Sequence, residues 1–124
     1  MIKFTNESKD LPYRLLRENY NLAKQNGQKV IEAIAISSFS EYNNEVNSRF
    51  VNLKFVNKKE FIFFSNYKSP KSLEFKNHSQ ISALIFWDTI NVQIRMKAVI
   101  KKTSSKFNEK YFQNRSRKKN ALAI

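Results

Sequence analysis

The chain has 124 residues, 41% hydrophobic and 14% aromatic, with eleven Phe and five Tyr. That is enough for one modest core, and it excludes both a two-domain layout and wholesale disorder. Cysteine is absent, which removes disulfides, thiolate zinc sites and cysteine nucleophiles; the single Gly, Gly27, removes Gly-rich dinucleotide and P-loop phosphate motifs.

Lys and Arg number 23 against 10 Asp and Glu, for a net charge of +13. One partner this suits is a polyanion such as nucleic acid. The alternative is a general bias toward Lys, Asn, Ile and Phe combined with a small phosphorylated ligand, and this second reading is preferred. The N-terminus, Met1 to Asn6, has no apolar h-region and no small-residue cleavage site, and the longest apolar run, Ile81 to Trp87, suits a buried strand rather than a membrane span. A cytoplasmic location, with no membrane partner, is the default expectation.

Residues 1 to about 10 read as a loose polar arm ahead of a single domain. Asp10 and Pro12 signal a helix start, Tyr13, Leu16, Tyr20 and Ala23 recur at helical spacing, and Gly27 marks the stop. Val30 to Ser38 is short and rich in β-branched residues, which predicts a buried strand, followed by a turn over Glu41 to Glu45. Arg49 to Val56 alternates, with Val51, Leu53 and Phe55 facing one way and Asn52 and Lys54 the other. Asn57 to Glu60 predicts a hairpin turn and Phe61 to Ser65 the returning strand. A loop and short helix follow from Asn66 to about Asn77. Then come a strand over Ile81 to Trp87, a tight turn at Asp88-Thr89, and a long strand over Asn91 to Lys101 with Val92, Ile94, Met96, Ala98 and Ile100 inward. A last helix from about Ser105, carrying Phe107, Tyr111 and Phe112, runs into the basic tail Arg115 to Lys119. Five strands with short turns, helices at the ends and one inserted, predict a small antiparallel β-barrel of the α+β, mainly β, kind.

Three groupings could carry chemistry. In Ser65-Asn66-Tyr67-Lys68-Ser69-Pro70-Lys71-Ser72 a strand ends and Ser69 can cap a helix beginning at Pro70. Lys71 in the first turn is unfavourable for the helix dipole unless an anion sits there, so the segment reads either as a phosphate cradle or as an ordinary capped helix with a solvated lysine. Arg49 and Lys54 flank the second strand, but an odd separation puts them on opposite faces. Both reach one ligand only if the strand bulges or twists strongly, or if the ligand lies across a dimer seam. Tyr111 and Arg115, four apart on a predicted helix, could share a phosphate ester or an aromatic ring; equally, Tyr111 could belong to the core. His78 is the one histidine and reads as a surface or cap residue, not a metal ligand. No catalytic triad or carboxylate pair can be assembled, so any redox or group-transfer chemistry would belong to a cofactor.

Taken in order, these pieces resemble the pyridoxamine 5′-phosphate oxidase family. Arg49-Phe50-Val51-Asn52-Leu53-Lys54 is similar to its R-x-V-L-L-K strand, Phe63-Phe64-Ser65-Asn66 to F-Y-T-N, and Ser69-Pro70-Lys71-Ser72 to S-R-K-A. Trp87 through Gln93 is similar to W-x-x-x-x-R-Q-V, and Tyr111 through Arg117 to Y-F-x-S-R-P-R. The resemblance covers residue 12 or so to the C-terminus. It implies a split-barrel homodimer with FMN at the subunit interface, and hydride transfer from C4′ of pyridoxamine or pyridoxine 5′-phosphate to the flavin, which dioxygen reoxidises. By the same resemblance Arg49, Phe50, Leu53, Lys54, Phe64, Ser65, Pro70, Lys71 and Gln93 contact FMN, with Lys71 on its phosphate and Gln93 on its ring. Lys54, Tyr111, Arg115 and Lys119 would hold the substrate.

The chain departs from the family pattern at several places. Pro70 stands where the family has a phosphate-binding Arg, which removes one charge-assisted contact. Val92 stands for an Arg, Lys119 for a substrate-contacting Ser, and Asn120-Ala121-Leu122-Ala123 for Q-I-G-A. The family pattern continues past the position of Ile124 with a Gln-Ser pair, closing strands, a flavin-side Trp and an Arg-x-His motif. The barrel formed by these 124 residues is therefore expected to have an unpaired edge.

Overall fold

A computed structural model of the chain describes residues 1–65, 78–102 and 120–123. Its helix α1 (Leu11–Gln25) begins where Asp10 and Pro12 signal it. The Asp10 carbonyl accepts the Tyr13 and Arg14 N–H groups at 3.1 and 3.0 Å. The helix stops at Asn26 because Gly27 takes φ +72°, which lets the Gln28 N–H turn back onto the Ala23 carbonyl at 3.0 Å. Leu16, Tyr20 and Ala23 form its buried stripe, as their spacing predicts.

The strands are β1 (Lys3–Thr5), β2 (Ala33–Ser40), β3 (Glu45–Asn57), β4 (Glu60–Ser65), β5 (Gln80–Trp87), β6 (Val92–Val99), β7 (Lys101–Lys102) and β8 (Asn120–Ala123). They are hydrogen-bonded in the order β6-β5-β2-β3-β4-β8-β7, with β1 parallel to β3. A single residue, Ile100, separates β6 from β7, and its N–H bonds to the Ser79 carbonyl at 2.9 Å. Because β7 prolongs β6, the two ends of the path meet and the sheet curls into a split barrel, mainly β with a helix beside it.

Inward residues of β2, β3, β4 and β5 fill the interior under α1. Ile34, Ile36, Leu53 and Phe63 are fully buried, and Trp87 nearly so. The Trp87 indole N–H donates to the Ile31 carbonyl at 2.9 Å, and the Tyr20 hydroxyl accepts the Ile2 N–H at 3.0 Å. Tyr20 thus ties the helix to both the N-terminal strand and the Trp87 ring, whose centroid lies 6.0 Å away. No helix among the described residues is long and apolar enough to cross a membrane.

All five predicted strands form, but four details differ from the sequence reading. Residues 3–5 of the expected polar arm form β1, paired with Phe55 to Asn57, and Ile2 is buried. Alternating Ile2 and Phe4 carry too little periodicity to be recognised in so short a run. The strand expected to start at Val30 starts at Ala33, because Val30 turns with φ +48°. Asn120–Ala123 forms β8, a strand not foreseen. The expected open edge is partly filled, since β8 seats between β4 and β7; among the described residues β6 itself pairs with β5 alone. The inserted helix and the helix from Ser105 fall outside the described residues.

A β-branched residue at positive φ is strained by about 1–2 kcal/mol, and Val30 is 67% exposed, so its side chain recovers little by packing. Val30→Asn should therefore raise stability by about 1 kcal/mol in urea unfolding; a loss of stability would show that the Val30 side chain matters more than its backbone.

Candidate functional site

The register of β3 decides where its cations point. Against β2 the ladder is regular from Ala33↔Asn52 to Ser40↔Glu45, so Arg49 lies opposite Ile36 and shares the inward face with Val51 and Leu53. Against β4 the register shifts: Leu53 faces Phe63 and Phe55 faces Ile62, two steps on β3 for one on β4. Lys54 is the extra residue of this β-bulge. The buried positions accordingly run Val51, Leu53, Val56, changing parity across Lys54, and Phe55 loses the inward place that alternation assigned to it. Lys54 is half-buried, whereas Phe50 and Asn52 on the outward face before it are exposed. Strict opposition of Arg49 and Lys54 is thereby lifted by the bulge.

Arg49 is half-buried and donates from Nη1 to the Ser38 hydroxyl at 3.1 Å. Ser38 is only 2% exposed, on the inner face of β2. This support was not foreseen; a serine in a predicted strand carries no signal until the register is known. Leu53 is fully buried and its N–H is already bonded to the Glu32 carbonyl at 2.8 Å, so its side chain belongs to the core. Phe64, half-buried, and Ser65 end β4, opposite Ala121 and Asn120. Lys54, Phe64 and Ser65 thus lie on adjoining strands.

Gln93 is exposed on β6, opposite Phe86. In the strand order it stands three places from β3, roughly 14 Å at ordinary strand spacing. Phe50, 76% exposed, shares the outer face with Gln93: Phe50 faces Ala35, Ala35 faces Leu84, and Leu84 faces Arg95. Leu84 and Phe86 add to this apolar strip. The apolar run Ala83–Trp87 carried that signal, since a strand apolar on both sides needs cover on both sides. Pro70, Lys71, Tyr111, Arg115 and Lys119 lie outside the described residues.

His78 sits near Glu41, Nδ1 to Oε1 3.7 Å, with its ring edge-on to Phe39 at 5.6 Å, as a surface residue would. Among the described residues no group of three potential metal ligands exists. The groups these strands present, Arg49 and Lys54 of β3 and the Ser38 hydroxyl of β2, together with the Gln93 carboxamide and exposed aromatic rings on the outer face, are of the kinds that bind a phosphorylated ligand with a flat ring. By chemistry, FMN is such a ligand.

No family model matches the chain. The chain is 31% identical over 110 residues to a pyridoxine/pyridoxamine 5′-phosphate oxidase of Colwellia psychrerythraea, covering 89% of this chain and 50% of that protein. In fold it is similar to PhzG of Burkholderia lata 383, solved with tetrahydrophenazine-1-carboxylic acid, with a TM-score of 0.74 at 21% identity, covering 85% of this chain and 52% of that one. A pyridoxamine 5′-phosphate oxidase-related, FMN-binding protein of Nostoc punctiforme also superposes with a TM-score of 0.74, at 9% identity, over 94% of this chain and 81% of that one.

The bulge itself can be tested. Lys54→Ala should leave the fold intact, since the residue contributes length rather than packing. Deleting Lys54 should move Val56 off the core face and cost about 1.5–3 kcal/mol or more. Equal unfolding midpoints for the two variants would contradict the register shift.

The chain spans about half the length of the curated relatives it matches, and by sequence and fold together it belongs to the pyridoxamine 5′-phosphate oxidase family of split barrels.

Proposed function

We propose that the chain is an FMN-binding module of the pyridoxamine/pyridoxine 5′-phosphate oxidase type, acting in vitamin B6 metabolism on a small phosphorylated substrate. The observation that carries this reading is the bulge at Lys54. It frees a half-buried cation from the strict alternation of β3, beside the end of β4 where Phe64 and Ser65 stand. The family membership supplies the ligand class, and the cations supply the counter-charge.

In this reading Arg49 and Lys54 neutralise phosphate charge, Ser65 and Lys71 complete the phosphate grip, and Gln93 hydrogen-bonds the ring. The Ser38 hydroxyl holds the Arg49 guanidinium in place, which lowers the entropy lost when an anion binds. Lys54, Tyr111 and Arg115 hold the substrate phosphate, with Lys119 at the margin. When bound, FMN supplies the two-electron acceptor for hydride leaving the substrate's C4′, and dioxygen restores it. Since Gln93 stands three strands from β3, a second copy docked on the exposed Phe50–Leu84–Phe86 face is the economical way to bring a carboxamide to the Lys54 side. The proposed assembly is therefore a homodimer with flavin at its seam.

Two measurements check this. In a flavin-fluorescence titration Lys54→Ala and Lys71→Ala should each weaken FMN binding about ten-fold or more, in line with the loss of a charge-assisted contact of about 1.5–3 kcal/mol. Arg115→Ala should weaken pyridoxal phosphate binding more than FMN binding. Unchanged FMN affinity in both lysine variants, or a colourless protein with strongly salt-dependent affinity for single-stranded nucleic acid, would replace the flavin reading with that of a basic binding barrel. Separately, Phe50→Glu should shift the protein toward monomer in sedimentation; an unchanged dimer would place the seam elsewhere.

A further inference from the structure

Helix α1 ends on a chemically reactive pair. Gly27 is the chain's one glycine, so Asn26-Gly27 is its one Asn-Gly step, and both residues are exposed. The helix stop needs the glycine for its φ of +72° and not for space, since a Cβ there would meet nothing within 4 Å. Asn26 is the residue that ends the helix, at φ −91° and ψ 13°. A glycine after asparagine leaves its backbone nitrogen unshielded by any side chain, and attack of that nitrogen on the asparagine carboxamide carbon closes a succinimide ring.

The intact last turn opposes that closure. The Leu22 carbonyl accepts the Asn26 backbone N–H at 3.0 Å and also its side-chain Nδ2 at 2.8 Å, which holds the carboxamide back along the helix. The Gly27 N–H donates to the Lys24 carbonyl at 3.1 Å. Nucleophile and target are thus both held while the turn is closed, and both are released together when it frays.

We propose that Asn26-Gly27 is a deamidation site gated by the last turn of α1, through which the helix end ages irreversibly. With the turn open, the Gly27 nitrogen gives its proton to solvent base and bonds to Cγ of Asn26. The Cγ–Nδ2 bond breaks, and Nδ2 takes up a proton to leave as ammonia. Water then opens the succinimide, at Cγ to give aspartate or at the backbone carbonyl to give isoaspartate. Neither product rebuilds the turn. Aspartate sets a carboxylate oxygen where an amide N–H met the Leu22 carbonyl, and it adds negative charge at the negative end of the helix dipole. Isoaspartate lengthens the main chain before Gly27. Just beyond, Gln28 Oε1 accepts the Thr89 N–H and hydroxyl at 3.0 and 2.8 Å, and the Ile31 carbonyl accepts the Trp87 indole N–H. Loss of the turn therefore loosens the tie between the helix and the β5–β6 connection.

The test is peptide-mapping mass spectrometry on the full chain, flavin-free, during incubation at mildly alkaline pH, with isoaspartyl methyltransferase labelling to mark isoaspartate. A synthetic peptide spanning Leu22 to Val30 gives the ungated rate. Asn26 should convert in the folded chain, but roughly ten-fold or more slowly than in the peptide. Gln25→Gly, at an exposed position in the last turn, should speed conversion in the folded chain about five-fold and leave the peptide's rate unchanged. Asn26→Asp should unfold at lower urea concentration than Asn26→Ala, with the gap narrowing at high salt, because aspartate adds repulsion where alanine only removes a bond. Equal rates in chain and peptide overturn the gating, as does a Gln25→Gly chain that converts no faster than its parent. Conversion at other asparagines with Asn26 intact overturns the site itself. An Asn26→Asp chain as stable as Asn26→Ala overturns the claim that the product cannot rebuild the turn. No flavin enters the assay, so its outcome is separate from that of the FMN titration.

Discussion

Strand β3 serves two sheets at once, and the single extra residue at Lys54 makes that possible. Its first part pairs with β2 in regular register, and its last part pairs with β4 and with β1. A regular strand of 13 residues would carry one face inward along its whole length. The bulge lets the inward set pass from Val51 and Leu53 to Val56, so both sheets receive apolar residues from the same strand while the chain bends between them. The residue that bears this irregularity is a lysine. A local break in the ladder, needed for barrel closure, is thus also where a cation leaves the strand's alternation.

The surroundings keep that arrangement rigid. Helix α1 covers the core through Leu16, Tyr20 and Ala23, and the Tyr20 hydroxyl pins the N-terminal strand that pairs with the far part of β3. Trp87 closes the other side through its bond to Ile31. Arg49, two turns of the pleat before the bulge, is steadied by Ser38 on β2. Cations held by packed strands lose less entropy on meeting an anion than cations on loops, so a barrel of this kind suits ligands bearing phosphate.

Much of the fold was legible because its signals were periodic. The helix could be read from Tyr13, Leu16, Tyr20 and Ala23, and β6 from the alternation of Ile94, Met96 and Ala98 with Gln93, Arg95 and Lys97. Strand β1 was not legible, since three residues are too few to show a period, and β8 was hidden in the short sequence Asn-Ala-Leu-Ala beside a basic run. The motifs around Arg49 and Ser65 could be recognised in order, and a bulge was one of the three ways left open for Arg49 and Lys54 to reach one ligand, but its presence and position could not be read. A bulge is a property of two strands' registers, and neither strand shows it alone. The Ser38–Arg49 bond was hidden for the same reason. The apolar outer face was half visible: the run Ala83–Trp87 implies cover on both sides without saying by what.

The most direct measurement is an amide NMR titration of the isotope-labelled chain with FMN. If the cations around the β3 bulge receive the flavin phosphate, the largest shifts appear at Lys54 and its neighbours and at Ser65, with Gln93 responding to the ring. Shifts confined to β6 beyond Gln93, or no shifts at saturating FMN, would contradict it.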